Sequence, residues 1–102
     1  MRSRYSAFAL NIPKYIIDTT HNENDDFKTD KLLWTNEISE FCKNCLFQKL
    51  EILESIDLNV ESFVTFKATI ECTNNDNSFI EKSKFLKINN KWLYHSGEFL
   101  DI

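Results

Sequence analysis

The chain has 102 residues, a formal net charge of −4, 42% hydrophobic and 27% charged residues. That length holds one core and not two, and the composition is that of a globular domain. The acidic balance removes the electrostatic footprint of a nucleic-acid binder, and no apolar run reaches the ~20 residues of a membrane-spanning helix. The N-terminus lacks the apolar core and cleavage site of a secretory signal. Three cysteines, an odd number, do not describe a disulfide framework, so the expected compartment is a reducing cytoplasm.

Met1, Tyr5, Phe8, Ala9 and Ile12 recur at helical spacing and form one apolar stripe over residues 1–12. Arg2 and Arg4 fall about 80° to either side of its centre, flanking the buried face. Pro13 opens a second short helix, in which Tyr15, Ile16 and Thr19 share a side. Residues 21–30 hold four acids and one Lys without periodicity and read as a solvated loop. Thr29 or Asp30 can cap the next helix through a side-chain oxygen. Trp34, Ile38, Phe41, Cys42 and Cys45 then mark a long amphipathic helix.

From Leu46 the period changes to two. Leu46, Leu50 and Ile52 alternate with Lys49 and Glu51, and Val64, Phe66, Ala68, Ile70 and Cys72 alternate with polar residues. Residues 74–77 are a turn, and Asn89-Asn90 is a two-residue hairpin loop, since Asn tolerates positive φ. With those loops, Ile88 faces Lys91, Phe85 faces Tyr94 and Ser83 faces Ser96. On the preceding hairpin, Phe66 faces Phe85, Ala68 faces Ser83 and Ile70 faces Glu81. Opposed residues share a sheet face. One face therefore collects Phe66, Ala68, Ile70, Phe79, Glu81, Ser83, Phe85, Trp92 and Tyr94, and receives the helices. The other carries Lys67, Glu71, Lys82, Lys84 and His95, with Phe63, Leu86, Ile88 and Leu93 grouped at one end. The expected fold class is α+β, N-terminal helices on a curved antiparallel sheet, as one domain over residues 1–102.

The opening Met1-Arg2-Ser3-Arg4-Tyr5-Ser6-Ala7-Phe8 resembles the signature of the middle domain of the YchJ family, bacterial proteins of unassigned function. Tyr15-Ile16-Ile17-Asp18-Thr19-Thr20-His21 is similar to its second segment, with Asn22 where Pro is usual. Val64-x-Phe66-x-Ala68, Glu81-x-Ser83-x-Phe85 and Trp92-x-Tyr94-x-x-Gly97 match its strand motifs. The resemblance implies a nuclear-transport-factor-2-like, or cystatin-like, fold, in which helices lie across the concave side of a bent sheet and enclose a pocket. Many members carry a cysteine-rich, zinc-binding SEC-C segment upstream. These residues open at the signature's Met without such a segment, so zinc is not carried over.

Glu81 is the most suggestive residue for chemistry, because a carboxylate among aromatics is costly unless paired. It forms either a structural network with Arg2 or Arg4, or an acid–base pair with Tyr94 in a pocket. The candidate pocket comprises Arg2, Arg4, Tyr5, Glu81, Ser83, Phe85, Trp92 and Tyr94. Ser83 has no His on its face, which removes a serine triad. Cys42-x-x-Cys45 lacks both the second pair of a zinc site and the βαβ context of a redox motif, so both thiols are expected reduced, metal-free and packed in the core. His21 is placed at a helix end, where a cation meets free carbonyls. A phosphate loop is excluded by the single glycine, Gly97.

The resulting expectation is a non-catalytic accessory module that binds a small ligand or a protein, with no metal or cofactor and no membrane or nucleic-acid partner. The alternatives are a small isomerase or dehydratase with Glu81 as base, and a homodimerisation module using Phe63, Leu86, Ile88 and Leu93. Residues 99–102 could instead fold over that patch and cover it.

Overall fold

A computed structural model describes residues 2–73 and 75–100. Helices α1 (Arg2–Ala9), α2 (Pro13–Asp18) and α3 (Lys31–Asn44) precede strands β1 (Cys45–Asp57), β2 (Glu61–Cys72), β3 (Asn75–Asp76), β4 (Phe79–Ile88) and β5 (Lys91–Leu100). The sheet is antiparallel with order β1-β2-β4-β5, and the short β3 pairs β2. Among the described residues no helix is long and apolar enough to cross a membrane.

The local signals that set these boundaries are specific. Asp30 caps α3, accepting a hydrogen bond from the Leu33 N–H at 3.0 Å. Helix α1 ends earlier than the stripe over residues 1–12 predicts. Asn11 adopts φ 54°, and the Ile12 N–H reaches back to the Ala7 carbonyl at 2.8 Å, a left-handed C-terminal cap. Arg4, expected to flank the buried face, instead shares it with Ala7, whereas Ala9 and Ile12 are exposed. Met1, the first residue of the expected stripe, lies outside the described residues. Asn89 and Asn90, at φ 50° and 65°, make the expected two-residue turn, with Ile88 opposite Lys91 and Phe85 opposite Tyr94.

Three bulges bend the sheet and correct the expected register. Gln48 and Leu53 are the extra residues of β1. The first reverses which side chains point inward, so Phe47 is half-buried and Leu46, expected with Leu50 and Ile52, is exposed. The third is His95. Ser83 therefore faces Gly97 rather than Ser96, which pairs with Lys84. Between β2 and β4 the pairing is offset from expectation as well, with Phe66 opposite Glu81 and Ala68 opposite Phe79. The cause is the turn, since Cys72 already pairs with Asn75 and the Asn77 N–H bonds the Ile70 carbonyl, so the chain reverses two residues earlier than a 74–77 loop would and β3 and β4 continue in one register. Asn74, within the expected turn, lies outside the described residues. The offset is even, so the predicted sheet faces survive it.

The cysteine expectation is overturned. The chain passes from helix to strand at Cys45 without a loop, which sets it opposite Cys72 on β2, and the two form a disulfide. Cys42 alone is free, and buried. The argument for a reducing compartment from cysteine count therefore lapses.

Two buried clusters form, one in each layer. Ala7, Ile16, Trp34, Ile38 and Cys42 knit the helices together. Val64, Phe66, Ala68, Ile70 and Phe85 form the concave floor of the sheet. The layers also meet through backbone. The His21 N–H donates to the Tyr94 carbonyl at 2.8 Å, and the Tyr94 N–H to the Thr19 carbonyl at 2.7 Å. His21 is thereby buried against β5 instead of free at a helix end, and His95, expected on the solvated face, is half-buried beside it.

Candidate functional site

Between the two clusters lies a cavity of about 410 Å³. Its roof comes from Phe8, Trp34, Ile38 and Phe41 of the helices, and its floor from Phe66, Ala68, Ile70 and Phe79 of β2 and β4. Phe47 closes one side, ring edges of Tyr5 and Phe41 meeting it at 5.6 and 5.9 Å between centroids. Lys28 and Glu37, paired at 2.6 Å and half-exposed, stand at its rim.

The polar base is a connected row of side chains. Tyr94 donates from its hydroxyl to Glu81 Oε2 at 3.1 Å, and the fully buried Ser83 hydroxyl donates to the same oxygen. Glu81 Oε1 carries no hydrogen bond among the described residues. The Arg4 guanidinium lies 4.8 Å from the centre of the Tyr94 ring, a cation–π contact in a desolvated site. Arg4 Nη1 donates to the Ile16 carbonyl at 3.2 Å, to Thr19 Oγ1 at 2.6 Å and to Thr20 Oγ1 at 3.3 Å. Arg4 thus ties α1 to the end of α2, and its Nε and Nη2 make no hydrogen bond among the described residues.

Burial sets the protonation behaviour. It lowers the Arg4 pKa from 12.5 to about 10, against the opposing influence of Tyr94, Tyr15 and Glu81, so the guanidinium remains charged at neutral pH. Burial first, then the Glu81 charge and hydrogen bond, push the Tyr94 hydroxyl well above its ordinary 10.0, which keeps it a donor. Tyr5 Oη is sealed from solvent without a well-formed partner. Burial raises its pKa, and the nearby Lys49 backbone only tempers the rise.

Gly97 makes this base possible. A Cβ there would lie 2.5 Å from Glu81 Cδ and from Tyr94 Oη, and 2.6 Å from Glu81 Oε2. The His95 bulge places Gly97 opposite Ser83 and directly against the carboxyl. Its role was readable in principle, because the chain's one glycine sits inside a strand pattern, which signals close approach.

Of the sequence-predicted pocket residues, Arg4, Tyr5, Glu81 and Tyr94 come together at the cavity. Four do not line it. Arg2 is exposed on the outer side of α1, and Ser83 and Phe85 are buried farther along the same concave face of β4, beyond the cavity. Trp92 pairs with Lys87 at the end of the sheet beyond the helices and is 37% exposed. Glu81 bonds Tyr94, as one reading expected, but forms no ion pair with Arg2 or Arg4, since the Tyr94 ring sits against the guanidinium. On the convex face Leu86 does face Leu93, but Phe63 faces Lys84 and not Ile88. Phe99 and Leu100 extend β5 beside Glu81 and Ile80 instead of folding over that patch, and residues 101–102 lie outside the described residues.

Comparison with known proteins agrees with this architecture. Residues 1–97 match the family described as YchJ, middle NTF2-like domain. A UPF0225 protein of Haemophilus influenzae is 36% identical over 92% of this chain and 56% of its own length. One from Streptomyces coelicolor is 31% identical over 99% of this chain and 73% of its own. The chain thus spans little more than half of the first of these relatives. The solution structure of a SEC-C motif containing protein from Rhodopseudomonas palustris superposes with a TM-score of 0.81 at 29% identity, covering 99% of this chain and 76% of that one. A second such protein, from Psychrobacter arcticus, gives 0.70 at 29% identity over 99% of this chain and 56% of its own. A polar base under an aromatic roof, on a concave antiparallel sheet, is therefore set in a chain that belongs to the YchJ family as an NTF2-like middle domain.

Proposed function

We propose that this domain is a binding module whose cavity takes one small, largely aromatic or aliphatic molecule bearing an acceptor group for Arg4. The observation that carries this reading is the pairing of about 410 Å³ of aromatic-walled space with a buried guanidinium that keeps unused donors. Pockets of ~300 Å³ and more, apolar with few polar groups, are the usual form of a small-molecule site. Trp34 lines the roof and reports occupancy directly. In a Trp92→Phe background, where Trp34 is the remaining tryptophan, aromatic carboxylates are expected to quench its fluorescence saturably at one equivalent, and their neutral amides more weakly. No quenching by any carboxylate overturns the proposal.

A second reading is acid–base catalysis in the same cavity, favoured by the unbonded Glu81 Oε1 beside a Tyr94 hydroxyl held as donor. Exchange of an α-proton from a bound ketone into deuterated water, lost in Glu81→Gln, is its signature. Self-association is a third reading. It draws support from Leu86 opposite Leu93 on the convex face and from Ile88 at 42% exposure, and light scattering at high micromolar concentration tests it.

A further inference from the structure

Three metal-ligating side chains converge where the loop after α2 meets the bulge of β5. His21, Glu23 and His95 each offer one ligand atom, and these atoms lie within 4.8 Å of one another. His95 Nε2 is 3.3 Å from Glu23 Oε1, and His21 Nδ1 is 4.0 Å from the same oxygen. The two rings meet edge to face with centroids 5.2 Å apart.

Backbone, not side-chain chance, fixes the two histidines. The bonds between His21 and Tyr94 and between Tyr94 and Thr19 lock one segment to the other. Asn24 Nδ2 then donates to the His95 carbonyl at 2.8 Å and pins the intervening loop. The second contact of the His95 ring suits ligation, whereas that of His21 must be exchanged for the ion. Ser96 Oγ lies 3.0 Å from His95 Nδ1 and can take its proton, which leaves the Nε2 lone pair toward Glu23. The Glu23 backbone N–H donates to His21 Nδ1 at 3.0 Å, so an ion takes that lone pair only by displacing this bond.

Around a tetrahedral ion with bonds of roughly 2.0–2.2 Å, neighbouring ligand atoms sit about 3.3 Å apart. One separation already has that value; the one between Glu23 and His21 closes by rotation of Glu23, whose side chain is 69% exposed, and the two imidazoles approach by turning about their own side-chain bonds. Two imidazoles and one carboxylate select a first-row divalent transition metal over magnesium or calcium, which take oxygen ligands. We propose that His21 Nδ1, Glu23 Oε1 and His95 Nε2 bind one such ion, with water completing its shell. This site is separate from the cavity ligand and does not rest on it. The same loop gives Asn24 and Asp26 to the cavity wall, so a bound ion would also stiffen that rim.

The test is calorimetric titration of chelator-stripped, untagged protein with Zn2+, with Mg2+ as the control. Expected is one equivalent of Zn2+ at micromolar Kd, and no heat from Mg2+. Glu23→Gln, at an exposed position that cannot unfold the domain, is expected to weaken binding about tenfold or more. His95→Ala is expected to abolish it, and Cys42→Ser to leave it unchanged. No Zn2+ binding at about 100 µM overturns the proposal, as does binding that Glu23→Gln leaves intact or Cys42→Ser removes.

Discussion

Alanine at position 97 is the sharpest probe of the polar base. Its Cβ would stand 2.5 Å from Glu81 Cδ and Tyr94 Oη and 2.6 Å from Glu81 Oε2, so the carboxyl must retreat. Relieving those overlaps needs a movement of roughly 1 Å, given a normal contact near 3.5 Å. Retreat draws Oε2 away from the Ser83 and Tyr94 hydroxyls that both donate to it. Overpacking of this kind costs ~1–3 kcal/mol, and loss of a hydrogen bond to a charged group ~1.5–3 kcal/mol. Alanine returns about 0.5–1 kcal/mol through its smaller backbone entropy loss. The net expectation is a destabilisation of about 3 kcal/mol, or roughly 12–24 °C in Tm for a domain of this size. Urea unfolding followed by tryptophan fluorescence measures it. In a Glu81→Ala background two of the three overlaps are gone, and the Gly97→Ala penalty should fall below about 1 kcal/mol. An unchanged unfolding midpoint in Gly97→Ala, or an equal penalty in both backgrounds, would refute the reasoning.

Arg4→Lys keeps the charge but loses the planar fork that meets Ile16, Thr19 and Thr20 together and stacks on Tyr94; destabilisation of about 2 kcal/mol is expected in the same assay. Thiol titration should find no reactive cysteine in the folded protein, one after unfolding without reductant, and three after reduction, given the Cys45–Cys72 bond and the buried Cys42. Burial raises the Cys42 pKa above its ordinary 9.0, so its contribution is full below pH 9.0 and is lost as pH rises through the higher folded value. The stability advantage of the parent over Cys42→Ala should accordingly shrink on the alkaline side of pH 9.0 and not on the acid side.

What was legible in the sequence is what depends on period alone. The inward placement of Phe66, Ala68, Glu81 and Tyr94 follows from alternation, and it survived an offset in β2–β4 pairing because that offset is even. Bulges are different. Nothing in the local pattern around Gln48 or His95 marks an extra residue, since a bulge is defined by the partner strand it faces. That is why Leu46 was expected inside, and why His95 was expected in solvent. The Cys45–Cys72 pair was hidden for a related reason. Cys45 continues the apolar stripe of α3 on paper, and only the abrupt change to extended backbone at that residue turns it toward β2. A stripe running through Ile12 places Arg4 at its flank, whereas the helix stops at Ala9 and its shorter face centres on Arg4 and Ala7.

The separation of roof and floor into two cores bears on how this protein can be altered. Trp34, Ile38 and Ala7 are packed among helices, and Phe66, Ala68 and Ile70 within the sheet, with Tyr5 the helix residue that packs against the floor. Substitutions that reshape the upper wall of the cavity therefore leave the sheet's own packing in place. The domain is in this sense modular in cross-section. Its recognition surface can be rewritten from the helical side while the strands, their bulges and the carboxyl beneath Tyr94 stay as a constant chassis.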